Sequence, residues 1–485
     1  MNSPRILACA VAATALSLGG CGGGGGGGPT PIPPSTQFSV GGTATGIAGP
    51  GLSLLNNGAD LLAIGGPGPF AFTTLLNDGA AYDVTVATAP PTLACSTSAG
   101  SGTIAKADVT DVAVNCAARS YSSVSADTGG GDSTSGRVVV GRDGTIYFVT
   151  WKNVASGGSG GLYSLAPGSS TAVLLHAFAG GTSDGANPAG LTLSPDGTTL
   201  YGATNGGGSN GGGTLYSYTI ANGAYTTLHE FGAGTDGIKP LVPPEFASSN
   251  LLYGVTNAGG SAGYGVVYNY ELSTGTYTVL YTFAGGTADG ANPLGGPVLS
   301  NGVYYGALTG GGANNKGAIY KLVMSGGTAT ETILHDFGGT VGSQTDGIEP
   351  FNVILGPNGM LYGATNTGGA NSDGIVFSMN TDGSNYTILH DFAGGTGDGA
   401  NAWGGVVLGT DGKIYGETSG GGAYNGGTLW SLTPSGTLTL LHSFGGTGDG
   451  IDPTSCSMSL LPDGRIYGGS TEGGDNSRGT VWSFQ

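Results

Sequence analysis

Charge is scarce in this chain. Only 12 lysines and arginines stand against 30 aspartates and glutamates in 485 residues, a net charge of −18. No basic cluster offsets that balance, so the surface repels phosphate backbones and nucleic-acid binding is excluded. Apolar residues do not recur at i, i+3, i+4 and i+7, which argues against a helical protein. The 103 glycines follow no three-residue period, so a collagen helix is excluded as well. Disorder is disfavoured because apolar residues make up 38% of the chain and charged ones only 9%, the reverse of a disordered composition. What remains is a β-rich chain with many turns. Its length suits a small domain followed by a large ring or barrel.

The first residues read as a sorting signal. Arg5 precedes an apolar run from Ile6 to Leu18, too short to span a bilayer but suited to a signal-peptide core. The run ends in Leu18-Gly19-Gly20-Cys21, which resembles a bacterial lipobox. The resemblance implies that residues 1–20 are removed and that Cys21 is acylated, anchoring the chain to a membrane by its N-terminal lipid. Gly22 rather than Asp after the cysteine implies export to the outer membrane. Residues 21–36 are a seven-glycine run and then Pro29-Thr30-Pro31-Ile32-Pro33-Pro34, a flexible tether followed by a stiffer spacer. Fully extended, it lifts the folded part by at most ~50 Å.

Residues 37–117 alternate apolar and polar side chains between turn signals, as in Tyr82-Asp83-Val84-Thr85-Val86 and Leu52-Ser53-Leu54-Leu55 before Asn56-Asn57-Gly58. From Val40-Gly41-Gly42 to Cys116 this stretch resembles a small immunoglobulin-like module of exported bacterial lipoproteins. Of the five cysteines, Cys9 leaves with the leader and Cys21 carries lipid. Cys95 and Cys116 are then expected to form a disulfide in an oxidising compartment, with Cys456 a buried thiol.

Residues 118–485 repeat. Tyr147, Tyr201, Tyr253, Tyr305, Tyr362, Tyr415 and Tyr467 mark seven copies of a unit of about 53 residues, most of them in a Leu/Ile-Tyr-Gly tripeptide. An Asp-Gly or Asn-Gly hairpin precedes the Tyr strand in six copies, and a third strand always carries an aromatic residue, from Tyr163 to Trp482. A fourth strand ends in Leu-His or Leu-Tyr. Four short strands repeated seven times predict a seven-bladed β-propeller after a small β-sandwich, an all-β protein. The last unit stops after its third strand, so Ser120–Val124 is expected to supply the missing outer strand and close the ring. The motifs Leu361-Tyr362-Gly363-Ala364-Thr365-Asn366, Gly368-Gly369, Gly374-Ile375-Val376-Phe377 and Leu389-His390-Asp391-Phe392 resemble the Gloeobacter/Verrucomicrobia (GloVer) repeat family of exported bacterial proteins. That resemblance covers roughly residues 136–485; it implies an extracytoplasmic location and no particular reaction.

Chemistry has few places to stand. The histidines 176, 229, 335, 390 and 442 share one repeat position, with Tyr281 in the remaining copy, which points to a structural role. The linker aspartates Asp184, Asp236, Asp289, Asp346, Asp398 and Asp449 each precede glycine. Turn formation is favoured there over calcium binding, because each loop offers one carboxylate. There is no P-loop, HExxH, Cys-x-x-Cys, nucleophile elbow or sialidase Asp-box, so no catalytic residue, metal or cofactor is expected. The residues that break the repeat are Glu417, in place of Ala or Val; Trp403, in a linker where other copies have Pro; and Tyr424 in the next loop. The two loops are expected on one face, where an aromatic and a carboxylate would suit a sugar or peptide. The leading function is a cell-envelope binding or scaffolding protein for protein or glycan. The alternative is an enzyme acting on polysaccharide or peptidoglycan fragments, with Glu417 as its acid or base.

Overall fold

A computed structural model of the chain describes residues 37–47, 49–90, 93–125, 134–152, 158–326, 328–356, 358–409, 411–453, 458–461, 464–474 and 477–484. The leader, Cys21 and the tether lie outside these residues, as do Cys456 and the Asp463 of the last hairpin. All regular elements among the described residues are β-strands.

The N-terminal domain is two four-stranded sheets around one core. One sheet holds Val40–Thr45, Gly68–Ala71, Leu93–Ser98 and Val109–Ala118; the other holds Leu52–Asn56, Asp60–Ile64, Ala81–Thr88 and Ser101–Thr103. Period-two alternation puts Leu52, Leu54 and Val84 from one sheet against Val40, Val112 and Val114 from the other. Cys95 and Cys116 face each other in register on neighbouring strands, and their sulfurs are bonded at 2.04 Å.

The rest of the chain builds seven successive antiparallel sheets. The first runs Thr134–Val140, Ile146–Thr150, Gly161–Leu165 and Val173–Ala177, from inner to outer strand. The second runs Gly185–Leu193, Thr199–Gly207, Thr214–Thr219 and Ala224–Glu230. The next five are centred on Leu251–Thr256, Val303–Gly311, Met360–Gly368, Ile414–Thr418 and Ile466–Ser470, the strands that carry the recurrent tyrosine. Apolar cores lie between sheets: Leu215 of the second packs with Leu252 of the third, and Val376 of the fifth with Ile414 of the sixth. Val481 of the seventh sheet shares a core with Val138 and Phe148 of the first, so the series returns to its start as a ring. The outer strand of the seventh sheet is Tyr121–Ser125, paired with Thr480–Phe484 so that Ser123 faces Trp482.

The glycine that follows six of the seven recurrent tyrosines is there for close approach. Gly202, Gly254, Gly306, Gly363, Gly416 and Gly468 lie directly under the third-strand aromatic ring, and a Cβ at Gly416 would stand 2.1 Å from the Trp430 indole. Tyr-Gly on one strand and an aromatic residue on the next are therefore two halves of one packing unit. Gly416→Ala should destabilise the fold by about 1–3 kcal/mol in denaturant melts, because Trp430 is fully buried and cannot move aside. Gly206→Ala is the control, since its nearest neighbour would be 3.9 Å away, and it should leave the midpoint almost unchanged.

Candidate functional site

The histidines and linker aspartates, which invite a search for chemistry, meet in pairs. His176, His229, His335, His390 and His442 each place Nε2 within 2.7–3.2 Å of Asp184, Asp236, Asp346, Asp398 and Asp449 respectively. Each aspartate also accepts the N–H of the glycine that follows it, as from Gly185 at 2.7 Å. A tyrosine from the next sheet completes the arrangement. Tyr225, Tyr386 and Tyr121 donate to Asp184, Asp346 and Asp449 at 3.0, 2.7 and 2.5 Å. Those three rings, and Tyr277, stack on His176, His335, His442 and His229 at 3.5–3.9 Å. The aspartate is thus a clamp between sheets rather than a turn residue. Its glycine is not left-handed; a Cβ at Gly185 would collide with Thr204 and Thr214, 2.4 and 2.7 Å away.

Burial alone would raise the Asp449 carboxyl, but hydrogen bonds from His442, Tyr121 and the Gly450 amide, with the His442 charge, hold it below the usual range. Asp184 and Asp398 are lowered in the same way. A carboxyl depressed in the folded state stabilises above its unfolded value, near 3.9, and that stabilisation is lost as pH falls through the folded value. Asp449→Asn should therefore cost roughly 1–3 kcal/mol at pH 7 and much less at pH 3, read from thermal melts at both values.

Two clamps depart from the pattern: in the sixth sheet Leu438 takes the tyrosine's place beside His390 and Asp398, and the other carries a carboxylate. Between the third and fourth sheets, Tyr281 donates to Asp289 at 3.2 Å, and Glu331 stands where the second sheet brings Tyr225. Burial first, then Asp289 and Asp336, push the Glu331 carboxyl up to about 7.

Of the three residues that break the repeat, Glu417 lies against the linker that carries Trp403: a Cβ at the neighbouring Gly404 would stand 2.8 Å from its Oε2. Asn401 has a left-handed backbone (φ 61°), as do Asn187 and Asn292, and its N–H reaches the preceding sheet's loop as theirs do. Ala402, not Trp403, therefore occupies the place of Pro188 and Pro293. Trp403 is half-buried and packs on Phe351 with ring centroids 6.3 Å apart, in a core that also holds Val242 and Leu294. Glu417 is wholly buried, and neither carboxyl oxygen has a partner among the described residues. Burial, with Asp452 nearby, raises its carboxyl well above the ordinary range. Tyr424 is exposed and lies over Gly445 and Gly446 of the following linker.

A cavity of about 260 Å³ lies on the ring axis. It opens where the fourth sheet's inner strand splits into Gly290–Pro293 and Val298–Ser300, leaving Gly295 and Gly296 without side chains between them. Arg137 of the first sheet crosses to Glu245 of the third at 2.6 Å, bonding on the way to the Leu191 carbonyl and Thr192. Asn352 of the fifth sheet is braced to the Val406 backbone at 3.0 and 3.3 Å. None of these residues stood out in the sequence. The Gly295-Gly296-Pro297 interruption was the available signal.

With these positions established, the repeat itself can be compared with known families. The Gloeobacter/Verrucomicrobia repeat family matches residues 133–349 and 349–485. The chain belongs to that family. The His–Asp pairs and the axial cavity lie inside the matched part of this Gloeobacter/Verrucomicrobia repeat protein, while Tyr121 of the last clamp precedes it. No curated protein matches it. Similar solved structures include the extracellular domain of a one-component system from B. thetaiotaomicron (12% identity, 75% of this chain and 40% of that one, TM-score 0.49). An oligogalacturonate lyase in complex with manganese matches at 14% identity, over 76% and 96% of the two chains, TM-score 0.48. Virginiamycin B lyase from Staphylococcus aureus matches at 11%, over 76% and 98%, TM-score 0.47. These likenesses carry no argument about site or activity.

Proposed function

We propose that this repeat protein is an exported, lipid-anchored component of the bacterial cell envelope that binds or scaffolds protein or glycan ligands. In this reading Cys21 carries the lipid, residues 21–36 are the tether and residues 37–117 an immunoglobulin-like sandwich. Residues 118–485 are a seven-bladed β-propeller closed by Tyr121–Ser125, and the anchor lies in the outer membrane. The observation that carries the binding reading is how the titratable groups are used. All five histidines are held by aspartates in clamps between sheets, and Glu417 is sealed from solvent. The histidines and Glu417 are thus committed to the fold, which leaves the enzyme alternative without its proposed acid or base, while the axis keeps an open cavity.

The test has two arms. Cys21→Ser should abolish lipid labelling and release the protein from membranes; retained label would refute the anchor. The released mature chain should then capture a ligand from a glycan array or an envelope-protein pull-down. Turnover of an envelope polysaccharide, unaffected by Glu417→Gln, would favour an enzyme with a site elsewhere.

A further inference from the structure

The geometry points to the axial cavity as a recognition pocket for a small, neutral, hydroxyl-rich group, a single sugar residue or the terminal residue of a glycan. The inference rests on the binding reading above and adds where the ligand sits and what it is.

The cavity is a deliberate departure from the ring's symmetry. Large apolar residues of the fifth sheet and the following linker, Phe351 and Trp403, pack in a core beside it. The fourth sheet offers Gly295 and Gly296, and a Cβ at Gly296 would meet nothing closer than the Glu245 Cγ, 3.8 Å away. At about 260 Å³ the space lies just below the usual range for drug-sized ligands, so it admits one small group and not a length of chain.

Charge selects among small groups. The charged residues lining the cavity are Arg137 and Glu245, and they neutralise each other. A charged ligand would lose its hydration and would have to compete with the Arg137–Glu245 pair for its counter-charge. A neutral ligand avoids that penalty.

Hydrogen bonding then favours hydroxyls. Glu245, which lines the cavity, holds Arg137 through Oε1 at 2.6 Å, and its side chain is a third exposed. A carboxylate oxygen accepts strongly from O–H donors. Val242, Val406 and Met458 give an apolar wall for the C–H face of a sugar ring.

The experiment is saturation-transfer NMR and calorimetry on the whole mature chain. The probes are the methyl glycosides of glucose, galactose, mannose and N-acetylglucosamine, with glucuronate and glucosamine as charged controls and the matching β-linked disaccharides as glycan ends. At least one neutral glycoside should bind, and the charged controls should bind at least about tenfold more weakly. Gly296→Leu, which places a side chain in open space, should remove binding by about tenfold or more and leave the unfolding midpoint unchanged. Gly296→Val places a smaller side chain in the same open space and gives the same reading should the leucine disturb the sheet. Disaccharide binding tighter than its monosaccharide would identify a glycan end as the source; equal binding would identify the free sugar. Binding untouched by either filling variant, or charged controls binding as well as neutral ones, would overturn the pocket but leave the binding reading intact. A protein captured in the pull-down with no neutral sugar bound would overturn it too. Failure of both the array and the pull-down to find any ligand would sink the binding reading itself.

Discussion

Deleting Tyr121–Ser125 should lower the stability of the ring by several kcal/mol, more than any single substitution in it. The strand pairs along its whole length with Thr480–Phe484, and each lost ladder bond is worth about 0.5–1.5 kcal/mol net. Side-chain losses add to this. Tyr121 stacks on His442 at 3.5 Å, donates to Asp449 at 2.5 Å and packs with Phe444 and Trp482, while Val124 packs in the core shared with the first sheet. The deletion therefore takes away the seventh sheet's outer strand, one of the inter-sheet clamps and part of the core at the junction where the chain ends meet. It also turns Thr480–Phe484 into an exposed edge, which should make the variant prone to self-association. Chemical denaturation and size exclusion read both effects. Tyr121→Phe separates the terms, since it keeps the stack and the pairing and loses only the bond to Asp449; it should cost far less than the deletion. A deletion mutant that melts with wild type would mean that the strand closes nothing.

That strand was legible in the sequence because it rested on a count: seven tyrosine strands and seven third-strand aromatics against six outer strands. The hairpins were legible for a local reason, since Asn301-Gly302 needs only its own two positive φ angles, 49° and 77°. What stayed hidden were relations between distant residues. Asp184 precedes glycine and looks like a turn residue, because its second partner, Tyr225, is 41 positions away on another sheet. Tyr-Gly reads as a flexible point, and only the ring of the next strand shows that the glycine is a contact. Trp403 was aligned with proline one place out of register, since the left-handed Asn401 that fixes the alignment has no sequence mark beyond its likeness to Asn187 and Asn292. The cavity left only the Gly295-Gly296-Pro297 interruption as a mark in the sequence. It comes from missing side chains in one sheet and from an ion pair that skips over another.

Glu417 yields a prediction that runs opposite to the clamps. Its position holds Ala203, Ala307 and Ala364 in other sheets, all buried. The glutamate is fully enclosed, its oxygens lack partners among the described residues, and Asp452 lies near enough to oppose its charge. A folded-state value raised above the unfolded one, near 4.3, means that stability is greatest at or below that pH and declines as pH rises toward the folded value. Within that window the loss can reach about 1.4 kcal/mol per pH unit. Glu331, raised to about 7, adds a decline of the same sign that is complete near neutrality. The clamp aspartates act only at the acid end. Wild type should thus be most stable in mildly acidic buffer, between the loss of the clamps below it and the cost of the buried acids above it. Glu417→Gln keeps the volume and removes the titration, so it should match wild type near pH 4.5 and exceed it at pH 8, by an amount that grows with pH. The same substitution separates the roles considered for this residue. A buried carboxyl with a purely structural cost gains stability on substitution and leaves ligand binding untouched, whereas a working acid or base would give up its activity. A variant no more stable than wild type at pH 8 would show that Glu417 finds a partner or solvent in solution.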